Sequence, residues 1–437
     1  MSQSITPALL WVEPLSDLQL LRFIVQLGLL LVSARLLGEL FARLGQPPII
    51  GELLAGIMIG PTFLGGMFPG LYEAVFAPED RSGQHILEAF SWLGIILLLM
   101  VAGMEMDPRI LRRVGRATAF TTLFNVLVPA AAGVTLGYFL SRHEILNATA
   151  PETLVFVLFF TVMMAISAVP VLARILGDLD LLRTVVGATM LATAVTADTV
   201  GWIALALASG LAAGGVNAAT IGVSVGGTMA FLAAAYFLGR PAINALTFRA
   251  RSMRVDYRMV TVALAVSFGL AAVTQLIGVH AVLGAFVGGI LIGQSPHVEA
   301  RSKVRLESAV MGFFAPVFFA ASGLKVDLTG LLDPFLLGVA ALVILVASTS
   351  KLVGGLIGAR LGGMSFWQSA AVGSGLNARG SMEVIAATLA LSLGVITGQL
   401  YSVIVAMAVV TSMMAPPLIK WSLRRDKEAG ERGWRKT

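Results

Sequence analysis

Long apolar segments recur along the whole chain, and this feature limits the fold more than any other. Of the 437 residues, 57% are hydrophobic and 12% are charged, whereas soluble domains carry about 25% charged residues. A helix needs about 20 predominantly apolar residues to cross the roughly 30 Å of hydrocarbon in a bilayer. Such segments follow one another almost without interruption. The sequence therefore predicts an all-α polytopic membrane protein and excludes a soluble enzyme with one anchor.

About thirteen transmembrane helices are expected, and their order fixes the orientation. With the N-terminus outside, 24 of the 30 Lys and Arg residues fall on the cytoplasmic side, as the positive-inside rule requires. We therefore expect a multi-pass protein of the plasma membrane, of the bacterial inner-membrane type, with a cytoplasmic C-terminus. The spans lie at about 18–38, 47–62, 85–103, 117–140, 152–175, 182–208, 217–239, 256–276, 279–294, 306–323, 330–359, 366–391 and 397–421.

Composition excludes several kinds of chemistry. The chain has no cysteine, so disulfides, thiol catalysis and Cys-ligated metals are excluded. The basic residues are spread over short loops, which the positive-inside rule explains better than binding to nucleic acid. No spacing of His or carboxylate side chains indicates a transition-metal site. We expect no cofactor.

The chain is similar to itself at long range. IIGELLAGIMIGP (49–61) recurs as VLGAFVGGILIGQ (282–294), and LLLMVAGMEMD (97–107) recurs less closely as VFFAASGLKVD (317–327). The second and ninth spans run in opposite directions, as in the inverted repeats of secondary transporters. Alternatively, Gly-rich faces look alike because close packing needs small residues.

These similarities lead to a domain prediction. We expect one transmembrane exchanger domain over residues 1–425, in which six-helix repeats of inverted topology cover about 47–239 and about 256–421. The remaining residues, 426–437, are predicted to form a solvated, basic cytoplasmic tail without a fold of its own.

Two predicted spans are interrupted at corresponding places in the two halves. The fifth contains Pro170 within AISAVPVLARIL (165–176), and proline removes a backbone donor. The twelfth contains Gly375 and Asn377 within VGSGLNARGSMEV (372–384). Unwound backbone at membrane depth survives only where protein buries it or a wet cavity adjoins it. An ordinary kink explains either break alone, but one break in each half favours a transport site.

Asp198 is the only charged residue in the apolar segment TVVGATMLATAVTADTVGWIALALASG (184–210). A charge at the bilayer centre costs about 2.5–3.5 kcal/mol on insertion scales, so this carboxylate is expected to face protein or water. Desolvation favours its neutral form, whereas a cation favours its charged form. Proton and cation would therefore compete for one site. The alternative is a buried acid paired with a basic residue.

Other polar residues inside the spans are candidate partners. Lys351 is too deep to reach the interface, and three roles stay open: neutralising half-helix ends, pairing with Asp198 or carrying a second proton. Arg379 and Glu383 are spaced i,i+4 and could form an ion pair, while Glu383 could instead pair with Lys351. Glu52 in the second span is either structural or part of a cytoplasmic funnel.

Neutral oxygens for a cation are scarce near Asp198. Thr196, Thr193 and Ser167 are the candidates. Thr196 alone is close in sequence, and a spacing of two residues places it on another helix face unless the helix is distorted.

These residues resemble the monovalent cation:proton antiporter-2 family, which includes Kef-type and plant cation/H+ exchanger relatives. The likeness runs from about residue 20 to 420. It rests on several segments in the right order: GQPPIIGELLAGIMIGPTFLG (45–65), AISAVPVLARILGDLDLLRTVVG (165–187), LATAVTADTVGWIALAL (191–207), STSKLVGGLIGARLGG (348–363), SGLNARGSMEVI (374–385) and VVTSMMAPPL (409–418).

The resemblance implies a fold and an activity. The fold is that of a sodium/proton antiporter with two broken, crossing helices, and the protein would be a homodimer. The activity is exchange of Na+ or K+ for H+ by alternating access, with both ions carried by Asp198. Family members usually have two adjacent polar residues here, but this chain has Ala197 before Asp198. In relatives with two aspartates the first pairs with a lysine that matches Lys351, so we expect one cation per proton and no net current.

Other functions remain as alternatives. Kef-like gated K+ efflux is one, although such relatives carry a C-terminal nucleotide-binding domain and no GxGxxG follows the last span here. Proton-coupled export of an organic solute on the same fold is another. An intramembrane aspartyl protease needs two opposed aspartates, so we do not expect an enzyme. The predicted partners are the cation, the proton, lipid and a second copy of the chain, without nucleic acid.

Overall fold

The computed structural model describes residues 16–76, 81–105, 115–143, 145–146, 153–181, 184–214, 218–252, 257–277 and 281–434. Within these ranges the secondary structure is helical and no β-strand occurs. The predicted all-α fold is confirmed.

Eighteen α-helices make up the described part of the chain. They are α1 (Asp17–Arg43), α2 (Pro48–Ile59), α3 (Pro69–Phe76), α4 (Arg81–Glu105), α5 (Arg116–Leu140), α6 (Thr153–Ala165), α7 (Val169–Asp178), α8 (Val185–Gly214), α9 (Ala218–Ala234), α10 (Arg240–Arg251), α11 (Arg258–Leu276), α12 (Ala281–Gln294), α13 (Ala300–Ala309), α14 (Ala315–Leu324), α15 (Pro334–Leu361), α16 (Phe366–Leu376), α17 (Ser381–Ser392) and α18 (Gly398–Trp434). Single π-helical turns join α9 to α10 and α13 to α14.

Every predicted span has a helical counterpart. In the described part of the chain, ten helical stretches are long and apolar enough to cross a membrane by length and composition. The three shorter apolar helices, Thr153–Ala165, Ala281–Gln294 and Met382–Ser392, include half-helices of both interrupted spans. The fifth span is split into α6 and α7, and the twelfth into α16 and α17.

The local sequence explains where the second half-helices begin. Pro170 stands in the first turn of α7, where a helix does not use the N–H that proline lacks. The proline therefore begins a new helix after a real interruption. In the twelfth span, the Glu383 carboxylate accepts a hydrogen bond from the Gly380 N–H at 2.7 Å and caps the N-terminus of α17.

Fifteen of the eighteen described helices pack in two groups. We call α1, α2, α4 and α11–α14 the scaffold, and α5–α8 with α15–α18 the core bundle. Each group is held together by extensive contacts, such as α2 with α14 and α5 with α15. Contacts between the groups are fewer and include α8 with α12 and α14 with α17. A boundary therefore runs between the scaffold and the core bundle.

The repeated sequence segments make matching contacts inside the scaffold. A Cβ added to Gly56 would lie 1.9 Å from the Ala320 carbonyl oxygen, and one added to Gly289 would lie 2.1 Å from that of Met100. Gly56 aligns with Gly289, and Met100 aligns with Ala320, in the two sequence repeats. Helix α2 thus packs on α14 as α12 packs on α4. These contacts support the predicted inverted repeat.

The predicted tail needs a correction. Helix α18 continues to Trp434, well past the predicted end of its span. The Asp426 carboxylate accepts hydrogen bonds from Ser365 Oγ at 2.6 Å and Gln368 Nε2 at 3.1 Å. The helix continues beyond the apolar span because charged residues such as Lys, Arg and Glu also form helices well. Hydropathy alone therefore does not predict where the helix ends. Residues 1–15 and 435–437 of the predicted units lie outside the described residues.

Replacing Gly56 with alanine is expected to lower stability by about 1–3 kcal/mol, because the new methyl group overpacks the contact with α14. Thermal unfolding of the purified protein in detergent measures the change. Gly338→Ala in α15 is the matched control, since nothing lies within 4 Å of an added Cβ there. Equal melting temperatures for the two variants would contradict the close packing.

Candidate ion-binding site

Four charged side chains are buried together in the core bundle. Asp198 lies in α8, Lys351 in α15, Arg379 between α16 and α17, and Glu383 in the first turn of α17. Asp198 is 2% exposed and the other three are 0% exposed. An unpaired buried ion costs several kcal/mol. The partners of each charge therefore indicate what that residue does.

Lys351 binds the end of a half-helix. Its Nζ donates to the Ala165 carbonyl at 2.5 Å and to Ser167 Oγ at 2.8 Å, with the Asn125 carbonyl at 3.5 Å. Ala165 is the last residue of α6, so its carbonyl has no partner within that helix. A cation at this place neutralises the negative end of the helix dipole. Among the described residues Lys351 forms no ion pair within 4.0 Å, which favours the first of its three predicted roles.

Arg379 binds the same helix end. Its two terminal nitrogens donate to the Met163 and Met164 carbonyls at 2.6 and 2.7 Å. Three successive carbonyls at the end of α6 are therefore bound by two cationic side chains. The predicted i,i+4 pair is present, with 3.6 Å between Arg379 Nη1 and Glu383 Oε1. The alternative pair of Glu383 with Lys351 is not formed.

Asp198 is different from the other three charges. Its Oδ1 is buried without a hydrogen-bond partner, and it forms no ion pair among the described residues. The charges of Glu383 and Lys351 still act on it. The Trp202 indole N–H, one helical turn further on, lies near the carboxylate but also has no hydrogen bond of normal geometry. Asp198 is thus buried and not neutralised by direct contact.

Two of the three predicted neutral ligands, Thr196 and Ser167, have hydrogen-bond partners within the protein, whereas Thr193 has none among the described residues. Thr196 Oγ1 donates at 2.8 Å to a carbonyl of its own helix. Ser167 Oγ donates at 3.2 Å to the carbonyl of Leu376 and accepts from the lysine. The side-chain oxygens of Thr193 and Asn377 are buried without partners. The last two residues therefore have oxygen atoms free for a ligand.

The two breaks meet each other. The hydrogen bond from Ser167 to Leu376 joins the loop after α6 to the last residue of α16. Gly375 comes close to α8, where an added Cβ would lie 2.5 Å from Met190 Sδ. The structure thus brings together the predicted residues of both breaks and the predicted charges. The side chain of Pro170 lies outside the described residues.

A cavity of about 230 Å³ lies between the scaffold and the core bundle. Its core wall is formed by Val171, Met382 and Ile385, and its scaffold wall includes Glu52. Met382 and Ile385 stand on either side of Glu383 in the sequence, but Asp198 does not line the cavity. A Cβ added to Gly380, whose N–H binds Glu383, would lie 2.8 Å from Val171 of the core wall. The cavity therefore reaches the N-terminal end of α17, and Asp198 does not adjoin it. Of the two interpretations of Glu52, this placement favours the funnel.

Sequence analysis missed Asn125. This residue is fully buried in α5, both polar atoms of its amide lack partners, and its carbonyl faces Lys351. A lone amide in an otherwise apolar span is the same kind of signal that identified Asp198. The carbonyls of Met163 and Met164 carry no such signal, since every residue has one.

Half-helix ends and buried charges at the meeting of two broken spans are typical of secondary transporters. The comparisons with known proteins agree. Residues 28–425 match the family described as "Sodium/hydrogen exchanger, transmembrane", and the chain belongs to this family. The resemblance stated from the sequence is confirmed.

Several relatives support the assignment to this family. The chain is 31% identical to "Na(+)/H(+) antiporter NhaS4" of Synechocystis, over 92% of this chain and 96% of that protein. It is 31% identical to "Cation/H(+) antiporter 17" of Arabidopsis thaliana, over 91% of this chain but only 48% of the relative, so it spans about half of that protein. It is 28% identical to "Na(+)/H(+)-K(+) antiporter GerN" of Bacillus cereus, over 92% and 96%.

The fold is also similar to a solved structure. The sodium proton antiporter MjNhaP1 from Methanocaldococcus jannaschii superposes with a TM-score of 0.69, covering 93% of this chain and 99% of that one. The sequence identity is 18%, so this likeness supports the fold alone.

Single cysteines test the cavity, since the chain has none of its own. Ile385→Cys is expected to react with a water-soluble, membrane-impermeant thiol reagent, because Ile385 lines the cavity. Its neighbour Ala386→Cys is the matched control, because Ala386 is equally buried but does not line it. Mass spectrometry after labelling in vesicles measures the modified fraction. Equal labelling of both positions would contradict a water-filled cavity.

Proposed function

We propose that the protein exchanges a monovalent cation, Na+ or K+, for H+ across the membrane, and that Asp198 binds both ions in turn. The observation that carries this proposal is the Asp198 carboxylate, which is 2% exposed and has no ion-pair partner among the described residues. The relatives described above are named as Na+/H+ or cation/H+ antiporters, which supports both candidate cations.

The lack of an ion-pair partner for Asp198 in the described part of the chain explains why exchange would be obligatory. A buried, unneutralised carboxylate is unfavourable by several kcal/mol. Either a proton or an alkali cation neutralises it, and the two loaded states carry the same net charge. Movement of the site across the membrane is then favourable only when one ion is bound. This coupling needs no second site.

The division into two helix groups supports alternating access. The four charges all belong to the core bundle, whereas most of the cavity wall belongs to the scaffold. Movement of one bundle against another around a fixed site is the usual mode of transporters with repeats. We infer that the core bundle moves against the scaffold, and that the inverted repeat provides the opposite state.

The contacts of Lys351 favour exchange of one cation for one proton. Its Nζ binds the Ala165 carbonyl and Ser167 Oγ at 2.5 and 2.8 Å and lies 3.5 Å from the Asn125 carbonyl. An ammonium group has three N–H donors for these acceptors and a neutral amine has two, so the contacts favour a lysine that keeps its proton. Ala197 removes the other polar group at this position. We therefore propose that exchange is electroneutral.

The remaining roles follow from the geometry. Lys351 and Arg379 neutralise the end of α6, and Glu383 neutralises Arg379 and caps α17. Ser167 positions the two breaks, whereas Thr193 and Asn377 offer free oxygens that could complete the coordination of a cation. We also propose that the protein lies in the plasma membrane, with its N-terminus outside, and that it forms a homodimer.

Replacing Asp198 with asparagine is expected to abolish exchange, because an amide has no charge for either ion to neutralise. Proteoliposomes containing a pH-sensitive dye measure proton release when Na+, K+ or Li+ is added in turn. Asp180→Asn is the matched control, since Asp180 is exposed and adopts a φ of 56°, which asparagine tolerates well. Wild-type exchange by the Asp198 variant would end the proposal, and proton release by an organic solute alone would favour the export alternative.

Exchange is expected to be independent of membrane potential, because each loaded state carries the same charge. A valinomycin-imposed K+ diffusion potential in Na+-loaded proteoliposomes tests this, with Na+-driven proton movement as the readout. The initial rate should be the same at either sign of the potential. The same K+ gradients without valinomycin are the control, because K+ is itself a candidate substrate. Acceleration at one sign and slowing at the other that require valinomycin would show net charge movement and contradict a one-to-one exchange.

A further inference from the structure

The cavity beside the core bundle has a carboxylate of its own. Glu52 of α2 is 6% exposed and lines the cavity wall formed by the scaffold. The other lining residues are apolar, with Arg35 as the one exception. A carboxylate in such a wall is expensive unless it has a partner. The contacts of Glu52 therefore indicate its role.

Arg35 is a loose partner for Glu52. Its Nη1 lies 3.9 Å from Glu52 Oε1, whereas a close charged hydrogen bond measures about 2.7–2.9 Å. The second terminal nitrogen donates at 2.6 Å to the Met311 carbonyl in the π-helical turn before α14. The arginine side chain is 48% exposed and that of the glutamate 8%. Arg35 is thus held by the scaffold near the carboxylate without a close bond to it.

The opposite wall of the cavity adjoins the charged cluster. Val171, Met382 and Ile385 form that wall. A Cβ added to Gly380 would lie 2.8 Å from Val171, and the Gly380 N–H binds the Glu383 carboxylate at 2.7 Å. The charge of Glu383 acts in turn on Asp198. An ion in the cavity therefore has Glu52 on one wall and the N-terminal end of α17 on the other.

We propose that Glu52 is a cation-binding station on the scaffold, which takes a hydrated monovalent cation from the cavity and holds it beside the core bundle before transfer to Asp198. A charged group in a low-dielectric cleft raises the local concentration of counter-ions. Arg35, whose Nη1 lies 3.9 Å from Glu52 Oε1, competes with the cation through its positive charge. This inference rests on the proposed exchange at Asp198.

Two substitutions should act in opposite directions on the KM for the cation. Glu52→Gln is expected to raise it about tenfold, which corresponds to about 1.4 kcal/mol of lost binding free energy, with a maximal rate close to that of the wild type. Arg35→Gln is expected to lower it, because the competing cation is gone. Both are measured in proteoliposomes as initial rates of proton movement over a series of Na+ or K+ concentrations, at fixed pH.

The controls separate a binding role from a structural one. Glu52→Asp keeps the charge and should restore a KM near that of the wild type. Glu39→Gln removes a carboxylate from α1 that is 62% exposed and pairs with Arg43 at 2.9 Å, and it should change nothing. A purely structural pair predicts that Glu52→Gln and Arg35→Gln both lower the melting temperature and the maximal rate, without opposite shifts in KM.

The outcomes also distinguish this inference from the proposed function. An unchanged KM in Glu52→Gln, with Asp198→Asn inactive, would overturn the station and leave the exchanger intact. Full activity of Asp198→Asn would overturn the exchanger itself. If Glu52→Gln does not fold, Arg35→Gln decides the matter, and a KM that rises or stays constant in that variant overturns the proposal.

Discussion

The attraction between two cationic side chains and the free carbonyl end of α6 underlies the rest of the site. An interrupted helix inside a membrane leaves carbonyl groups that neither water nor its own backbone can bind. Lys351 and Arg379 bind three of them in succession, at residues 163–165. Without these contacts the interruption before Pro170 would leave three carbonyls buried at membrane depth without a partner. The break, the meeting of the two half-helix pairs and the position of α17 all depend on them.

The same contacts set the electrostatics of Asp198. Lys351 has its donors turned towards the α6 end, and Arg379 is bound to that end and to Glu383. Neither cation is left to form a direct pair with the carboxylate. Asp198 is therefore buried without a direct counter-ion among the residues that the structure describes. In the proposed exchange a mobile ion takes that place, which is the physical basis of the coupling.

Packing divides the molecule into a part that holds the site and a part that faces it. The scaffold is joined through close backbone contacts at glycines such as Gly56 and Gly289, which leave little freedom for movement between α2, α4, α12 and α14. The cavity lies on the boundary with the core bundle, where contacts are fewer. Rigid packing within each group and a cavity between them are what relative movement of two bodies requires.

The sequence by itself determined the class of fold, the approximate helices, both breaks and the four buried charges. Hydropathy is sufficient for this, because an apolar segment has few alternatives in a bilayer and a charge within it has few places to go. The sequence also shows directly that an alanine, Ala197, precedes Asp198 where a second polar residue is usual. The predicted boundary at residue 426 was wrong, because the helix continues beyond the end of the apolar span. Asn125 was not among the predicted site residues.

The tertiary structure alone decided which charge pairs with which. Three roles for Lys351 and two partners for Glu383 were open because contacts between distant segments do not appear in local patterns. Folding places the carbonyls of residues 163–165 within reach of both cations, and it places Glu52 on the wall of a cavity that leads towards α17. Backbone carbonyls are the same in every residue, so only their position in space makes them ligands.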